Sequence, residues 1–233
     1  GFRIQGATEV RIAATAFNRM RERINRQIRQ RTDMLSGVSH DLRTPMTRMK
    51  LQLAMVSDSP EIEDLKSDLA EMEQMIEGYL TFARGDGEEK AVKTDLSNVI
   101  SESVDSWRRN GTSIDLHVED EISLPLKQKA FRRCIDNLIA NAAKYGEHIW
   151  IRAGRRRNDI EITIDDDGPG IPESEQKNVF RPFYRIDESR NRETGGTGLG
   201  LAIAHDIARA HGGDITLGTS PQNGLRARIR LPV

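Results

Sequence analysis

A stripe of apolar residues at helical spacing runs through residues 10–83, and the chain supplies only half of the bundle needed to bury it. Val10, Ala13, Phe17, Met20 and Ile24 keep the three-and-four alternation of a coiled-coil seam. The stripe then steps by four to Ile28 and continues through Leu35, Leu42 and Met49, with Val38 and Leu53 in the rows between. Such a stutter locally unwinds a supercoil, so one long helix is predicted to pass from one bundle packing to another. Pro45 removes a backbone donor inside that helix and predicts a bend. Ser57-Asp58-Ser59-Pro60 predicts a turn, with Ser59 as helix cap and Pro60 at the first helical position. A second helix follows through Ile62, Leu65, Leu69, Met72, Ile76, Tyr79 and Ala83. Two antiparallel helices with one stripe each make half of a four-helix bundle, so packing alone predicts a homodimer.

The pattern changes after Gly85-Asp86-Gly87-Glu88-Glu89-Lys90, a small and charged linker. Helices are predicted over 95–107, 127–145 and 199–211, and strands over 113–119, 148–153, 160–164, 214–217 and 225–231. A turn is expected at 155–159 and a long irregular loop at 168–197. This order suits a layer of helices on one face of a mixed sheet. A length of 233 residues, more than one compact domain needs, predicts two units, and only 5% aromatic residues argue against an all-β sandwich. Net charge is −1, so nothing global points to nucleic acid. Residues 1–31 nevertheless hold eight Arg against two Glu, which fits either a solvated helical face or a segment just inside a membrane. Cys134 stands alone in an apolar helical run, a core residue suited to a reducing compartment. No stretch approaches the roughly 18 apolar residues of a membrane span, so the chain is expected to be soluble. The abrupt start at Gly1-Phe2-Arg3 reads as a piece of a longer protein whose membrane anchor is missing.

Chemistry gathers at a few places. His40 lies in Val38-Ser39-His40-Asp41-Leu42-Arg43-Thr44-Pro45, some 160° around the helix from Leu42 at about 100° per residue, and so is expected on the solvent face. It is either a surface histidine or a nucleophile: Asp41 can accept the proton of one ring nitrogen and leave the other with a free lone pair. Gly195-Gly196-Thr197-Gly198-Leu199-Gly200 is neither a P-loop nor the Gly-x-Gly-x-x-Gly of dinucleotide folds and protein kinases. It opens directly into a helix, where unpaired amides can hold phosphates or simply end in a cap. Asp166-Asp167-Gly168-Pro169-Gly170 follows a strand, either as an ordinary turn or as a carboxylate that accepts from an amine with glycines letting a ligand approach. Asn137 and Asn141 share one helix face, as solvated surface or as amide ligands for a Mg²⁺ that bridges phosphates.

Taken in order, these motifs make the chain resemble the sensor histidine kinases over almost its whole length. Residues 38–45 are similar to that family's phosphoacceptor box, 137–145 to its N box, 166–170 and 195–201 to its two glycine boxes, and Phe180-Arg181-Pro182-Phe183 to its F box. Ala16-Phe17-Asn18-Arg19-Met20 resembles the second helix of a HAMP signalling module. Within the family the likeness is strongest to osmosensing kinases of the EnvZ type, carried by residues 37–45, by Asn141-Ala142-Ala143-Lys144-Tyr145-Gly146 and by the ending Leu231-Pro232-Val233. The resemblance implies a multidomain chain: an all-α dimeric four-helix bundle for dimerisation and phosphotransfer, then an α/β sandwich ATP-binding domain of the Bergerat (GHKL) fold. Its implied divisions are 1–31 as partial HAMP helix and signalling coiled coil, 32–87 as phosphotransfer hairpin and 88–233 as the catalytic domain.

The resemblance also implies roles. His40 takes the γ-phosphate of ATP, with Asp41, Arg43 and Thr44 beside it in the catalytic box. Nucleotide contacts are implied for Asn137, Asn141, Lys144, Tyr145, Asp166, Gly168, Gly170, Ile171, Phe180, Phe183, Gly196, Thr197, Gly198, Leu199, Gly200 and Leu201. Among these Asn141 binds Mg²⁺, Asp166 reads the adenine amine, Tyr145 borders the nucleotide, Lys144 approaches phosphate, and 171–197 form a lid. ATP-hydrolysing relatives place a Glu where Asn137 stands, and an amide cannot activate water as that base does, so hydrolysis is expected to be slow. The implied partner is an OmpR-like response regulator, with the Asp41-x-x-Thr44 pattern pointing to phosphatase action on it. The implied place of the parent protein is the cytoplasmic face of a bacterial inner membrane. An ATP-driven conformational machine and a signalling adaptor with a vestigial ATP domain are the competing readings, opposed respectively by Asn137 and by the intact glycine boxes.

Overall fold

The computed structural model describes residues 8–56, 59–84, 89–119, 121–186 and 197–233. It separates into two compact units, Gly1–Gly85 and Asp86–Val233.

In the first unit, helix α1 runs from Thr8 to Ala54 and α2 from Pro60 to Arg84. Ser59 caps α2 as its hydroxyl accepts from Ile62 N at 3.4 Å and its carbonyl from Ile62 N at 3.0 Å, and Glu61 and Glu63 sit in the first turn, where negative charge suits the helix dipole. Pro45 lies inside α1 without ending it. The stripe read on α1 is not the row that the hairpin buries. Met46 on α1 and Leu69 on α2 are buried within the hairpin, as is Ser39, whose hydroxyl donates to Leu35 O at 2.9 Å. Leu42, Met49 and Val38 remain 41–46% exposed, and Leu65 and Met72 on α2 likewise 50% and 46%. At about 100° per residue Met46 stands roughly 40° around α1 from Leu42 and 60° from Met49, so it can be covered by α2 while they are not. Among the described residues of the single chain, Val38, Leu42 and Met49 have no full cover. Lys50 pairs with Glu73 across the hairpin.

In the second unit, β1 (Val92–Asp95) pairs antiparallel with β3 (Ser123–Leu126), two short strands absent from the sequence expectation. Asp95 ends β1 and caps α3 (Leu96–Arg109), its Oδ1 accepting from Ser97 N at 2.9 Å. The five-stranded sheet contains β2 (Ser113–Val118), β4 (His148–Arg156), β5 (Asp159–Asp166), β6 (Asp214–Thr219) and β7 (Leu225–Pro232) in the order β2-β4-β5-β7-β6. Only β2 and β4 are parallel; the other neighbours are antiparallel. Helices α4 (Gln128–Tyr145) and α5 (Gly200–Ala210) pack on one face. The core lies between them, with Ile149, Ile151, Ile160 and Ile162 of the sheet fully buried beside Phe131, Ile135 and Ile139 of α4. Each such side chain contributes about 1.5–3 kcal/mol on burial. The β4–β5 turn is tighter than the expected 155–159: Arg155 and Arg156 belong to the strand, and only Arg157 and Asn158 turn, with Arg157 at φ 57°.

The N-terminus of α4 has no cap from its own flank. Lys127 offers no side-chain bond; instead Glu89 reaches back so that Lys129 N and Ala130 N donate to its two oxygens at 2.8 and 3.1 Å. Lys127 N donates to His211 Nε2 at 3.0 Å, while His211 Nδ1 bonds Ile207 O, so the imidazole ties the start of α4 to the end of α5.

Candidate functional site

The site gathers along the C-terminal half of α4. Strand β5 ends at Asp166, which points to the helix side of the sheet and is 2% exposed. Its Oδ1 accepts from Gly168 N and Leu225 N, each at 2.9 Å, and among the described residues its Oδ2 accepts nothing. Burial pushes the carboxyl above the usual carboxylate range; the two backbone N–H groups oppose the shift, and the neighbouring charges of Asp167 and Asp165 add to it. The next residue behaves oppositely. Asp167 is exposed and held low, chiefly by His148 N and then Glu147 N, which donate to Oδ1 at 3.1 and 2.8 Å. Adjacent carboxylates are thus driven apart by burial and hydrogen bonding.

Glycines fix the approach of the turn to α4. A Cβ at Gly168 would stand 2.6 Å from the carbonyl of Tyr145, so only glycine lets the 168–170 turn lie against the last turn of α4. Gly224 is equally constrained, since a Cβ there would fall 2.2 Å from Asp166 O. Ser220 completes that support: its hydroxyl donates to Asp166 O at 2.6 Å and accepts from Gly224 N at 3.0 Å. Ser220 and Gly224 escaped sequence reasoning, because nothing local marks a serine that serves a strand end 54 residues away.

At the other end of this stretch α5 begins. A Cβ at Gly200 would stand 3.5 Å from Asn137 Oδ1, placing the amide of Asn137 at the start of α5. Leu199, the capping residue, supplies no side-chain bond to the first N–H groups. The positive end of α5 is therefore open to an anion. Asn137 and Asn141 are both partly exposed on α4, Lys144 lies with its ammonium 5.0 Å from the ring centre of Tyr145, and Tyr145 is 47% exposed. From Asn137 to Tyr145 the helix rises about 12 Å at 1.5 Å per residue.

The segment between the glycine boxes is anchored rather than loose where it is described. Glu175 accepts from the Tyr184 hydroxyl at 2.5 Å and from Asn178 Nδ2 at 3.1 Å. Phe180 ends a single 3₁₀ turn and stacks on His205 of α5 at 4.5 Å between ring centres. Phe183 sits at φ 65° and its N–H donates to Gly198 O at 3.0 Å; Gly198 itself, at φ 67°, has no room for a side chain against Phe183. Ile171, Thr197 and Leu201 are half-buried and Leu199 is buried. Gly196, with residues 187–195 of the expected lid, lies outside the described residues.

His40 lies in α1, but its side chain is outside the described residues. Asp41, Arg43 and Thr44 are exposed. One turn on from Arg43, the Thr47 hydroxyl donates to Arg43 O at 2.9 Å.

The residues fit a nucleotide: an accepting carboxylate, glycine-lined approaches and an uncapped helix end stand along one helix. Among the described residues no cluster of three or more His, Cys, Asp or Glu is placed to hold a metal. A cation here would rest on amide oxygens, water and phosphate, a donor set that suits Mg²⁺. No helix among the described residues is long and apolar enough to cross a membrane.

Comparison with known proteins bears on both units. Residues 30–88 match the His Kinase A (phospho-acceptor) domain, and residues 126–233 the Histidine kinase-, DNA gyrase B-, and HSP90-like ATPase family. The sensor histidine kinase GtrS of Pseudomonas aeruginosa is 35% identical over 229 residues, covering 98% of this chain and 47% of that protein. CpxA of Escherichia coli is 33% identical over 242 residues, covering 98% of this chain and 52% of that protein. The chain thus spans about half the length of the curated relatives it matches. Among solved structures, the histidine kinase domain of the E. coli osmosensor EnvZ superposes with a TM-score of 0.50 at 34% identity, over 63% of this chain and 91% of that one.

Proposed function

Since the chain belongs to the sensor histidine kinases, we propose that its second unit binds ATP and that the γ-phosphoryl group passes to His40 and then to an aspartate of a response regulator. The observation that carries this reading is Asp166: a buried carboxylate with one oxygen tied to the backbone and, among the described residues, the other untied. It sits beside the end of α4, whose other asparagine face meets the open start of α5. We assign the adenine amine to Asp166 Oδ2, the ring face to Tyr145, and the phosphates to the first turn of α5 with Lys144 nearby. Gly168, Gly170 and Ile171 line the base side, while Thr197, Gly198 and Leu199 with Phe180 and Phe183 line the lid side.

Asn141, assisted by Asn137, would hold Mg²⁺, which supplies charge neutralisation on the phosphates when bound. Asn137 orients without acting as a base, so water at the terminal phosphate is not activated. On the hairpin, Asp41 holds the proton of one His40 ring nitrogen, and the other nitrogen attacks in line as the P–O bond to ADP breaks. The exposed row of Val38, Leu42 and Leu65 is then the dimer seam. We further assign residues 1–31 to a partial HAMP helix and coiled coil, 32–87 to the phosphotransfer hairpin and 88–233 to the catalytic domain. An OmpR-like regulator is the partner, Thr44 serves its dephosphorylation, and the parent protein works at the cytoplasmic face of a bacterial inner membrane.

Incubation with γ-labelled ATP tests the reading. Acid-labile, alkali-stable label on the chain is expected, absent from His40→Gln although that variant still binds ATP. Released phosphate without labelled protein would mean an ATPase and overturn it. Stable labelling of His40→Gln would remove His40 as acceptor.

A further inference from the structure

Two contacts fasten residues 180–183 to α5, one just before the helix begins and one beyond its first turn. At the first, Phe183 N donates to Gly198 O at 3.0 Å, and a Cβ at Gly198 would stand 2.9 Å from the carbonyl carbon of Phe183, so the two backbones touch. At the second, the ring of Phe180 lies on the imidazole of His205, with 4.5 Å between centres and 26° between planes. His205 stands about 7.5 Å along the axis from Gly200 at 1.5 Å per residue, so the segment brackets the opening of α5. The bracket has little slack. Only Arg181 and Pro182 separate Phe180 from Phe183, and Phe183 is held at φ 65°, a left-handed conformation uncommon for a bulky side chain. Val179, the residue before Phe180, is buried. The imidazole is itself fixed: its Nε2 donates to Asp214 Oδ1 at 2.9 Å, at the start of β6, and Arg209 Nε stands 3.7 Å from the same oxygen. A ring that packs one face and bonds through one edge cannot turn without losing a contact.

We propose that His205 is a positioning residue for the phosphate end of the nucleotide: by seating Phe180 it fixes Phe183 and Gly198, and through them the aim of the N–H groups at the start of α5. This rests on the reading that the first turn of α5 takes the phosphates. Leu199 supplies no side-chain cap to those N–H groups, so their placement depends on what holds the backbone of residues 197–200, and the bond from Phe183 to Gly198 is such a hold. His205 acts through Phe180, since it lies more than a turn beyond the open helix end. Its influence is confined to that end. On the base side Asp166 is held by Gly168 N, Leu225 N and the Ser220 hydroxyl, none of which depends on residues 180–183. Loss of the stack should therefore weaken what the phosphates contribute and spare what the base contributes.

The test compares ATP with adenosine, each measured by displacement of a fluorescent ATP analogue from the whole chain in the presence of Mg²⁺. His205→Ala is expected to weaken ATP roughly three- to tenfold, the worth of one aromatic pair, and to leave adenosine affinity nearly unchanged. His205→Phe keeps a ring over Phe180 without the bond to Asp214 and should recover most of the ATP affinity. His205→Gln can reach Asp214 but has no ring, and should not. Phe180→Leu should reproduce the loss, and combining it with His205→Ala should add little, as expected of two residues that act through one contact. Adenosine affinity also reports folding; should His205→Ala lose it, His205→Gln carries the comparison in its place. Equal ATP affinity in wild type and His205→Gln would overturn the proposal. So would a parallel loss of ATP and adenosine in His205→Gln, which would leave His205 a packing residue. A wild-type chain that binds neither ligand would overturn the nucleotide reading, and this proposal with it.

Discussion

Replacing Asp166 with asparagine separates what that residue does for the fold from what it does for the nucleotide. Oδ1 accepts from Gly168 N and Leu225 N at 2.9 Å, and an asparagine can keep its oxygen in that place. The atom exchanged is Oδ2, untied among the described residues, which becomes an NH₂ group and turns an acceptor toward the adenine amine into a donor. A hydrogen bond to a charged acceptor contributes about 1.5–3 kcal/mol, so ATP and ADP affinity should fall by roughly 10- to 150-fold. Stability should move the other way or not at all. The folded carboxyl is raised above its unfolded value by burial, so just above the ordinary carboxylate range the native state binds more protons than the unfolded chain. Stability from this group is fully present below the unfolded pKa and is lost as pH rises through the folded one. Asp166→Asn removes that loss, so near neutral pH Tm should be unchanged or higher, and the decline of Tm above the acid range should flatten. Isothermal calorimetry with ADP, beside thermal denaturation at several pH values, measures both effects. Unchanged ADP affinity would remove Asp166 from the site. A Tm lowered by many degrees would show that its charge supports the fold and that the argument from burial is wrong.

Thr44→Ala should leave labelling of His40 and transfer to the regulator largely intact but slow decay of the phosphorylated regulator in the presence of ADP by more than about tenfold; equal decay rates would return Thr44 to ordinary surface. Glu89→Ala should cost about 0.5–2 kcal/mol by leaving Lys129 N and Ala130 N unpaired, lowering Tm of the second unit by about 2–4 °C per kcal/mol with little change in ADP affinity. A Tm within error of wild type would show that another group caps α4. The double variant Leu42→Asp, Leu65→Asp should turn a dimer into a monomer in sedimentation velocity, since both residues lie in the uncovered row, 44% and 50% exposed in the single chain. Retention of the dimer would place the seam elsewhere.

Long periodic elements were open to sequence reasoning because their signal is local. The apolar recurrence from Ile135 to Ala142 marks α4, and alternation from Ile160 to Ile164 marks β5, leaving Asp166 at a strand end beside glycines. Strands β1 and β3 were hidden because four residues hold too little alternation, and Pro125 argues against a strand except in a small pair such as this. On α1 the stripe through Leu42 and Met49 was found, but Met46, the position that α2 buries, was not, because its cover depends on where α2 lies. The contacts of Glu89 with α4, of His211 with Lys127 and of Ser220 with Asp166 span 40, 84 and 54 residues or so, and no short pattern foretells them.

The attachment of Glu89 to α4 has a practical bearing on how this chain can be recombined. Glu89, inside the segment read from the sequence as a linker, is already part of the folded second unit, three residues before its first strand begins at Val92. A chimaera that joins a foreign input module at residue 91 would discard the group that holds the leading end of α4, the same helix that carries Asn137 and Asn141. Joining at residue 88 keeps it. Grafts cut on either side of Glu89 therefore differ by one carboxylate in how firmly the nucleotide-bearing helix is seated, whatever the module upstream happens to sense.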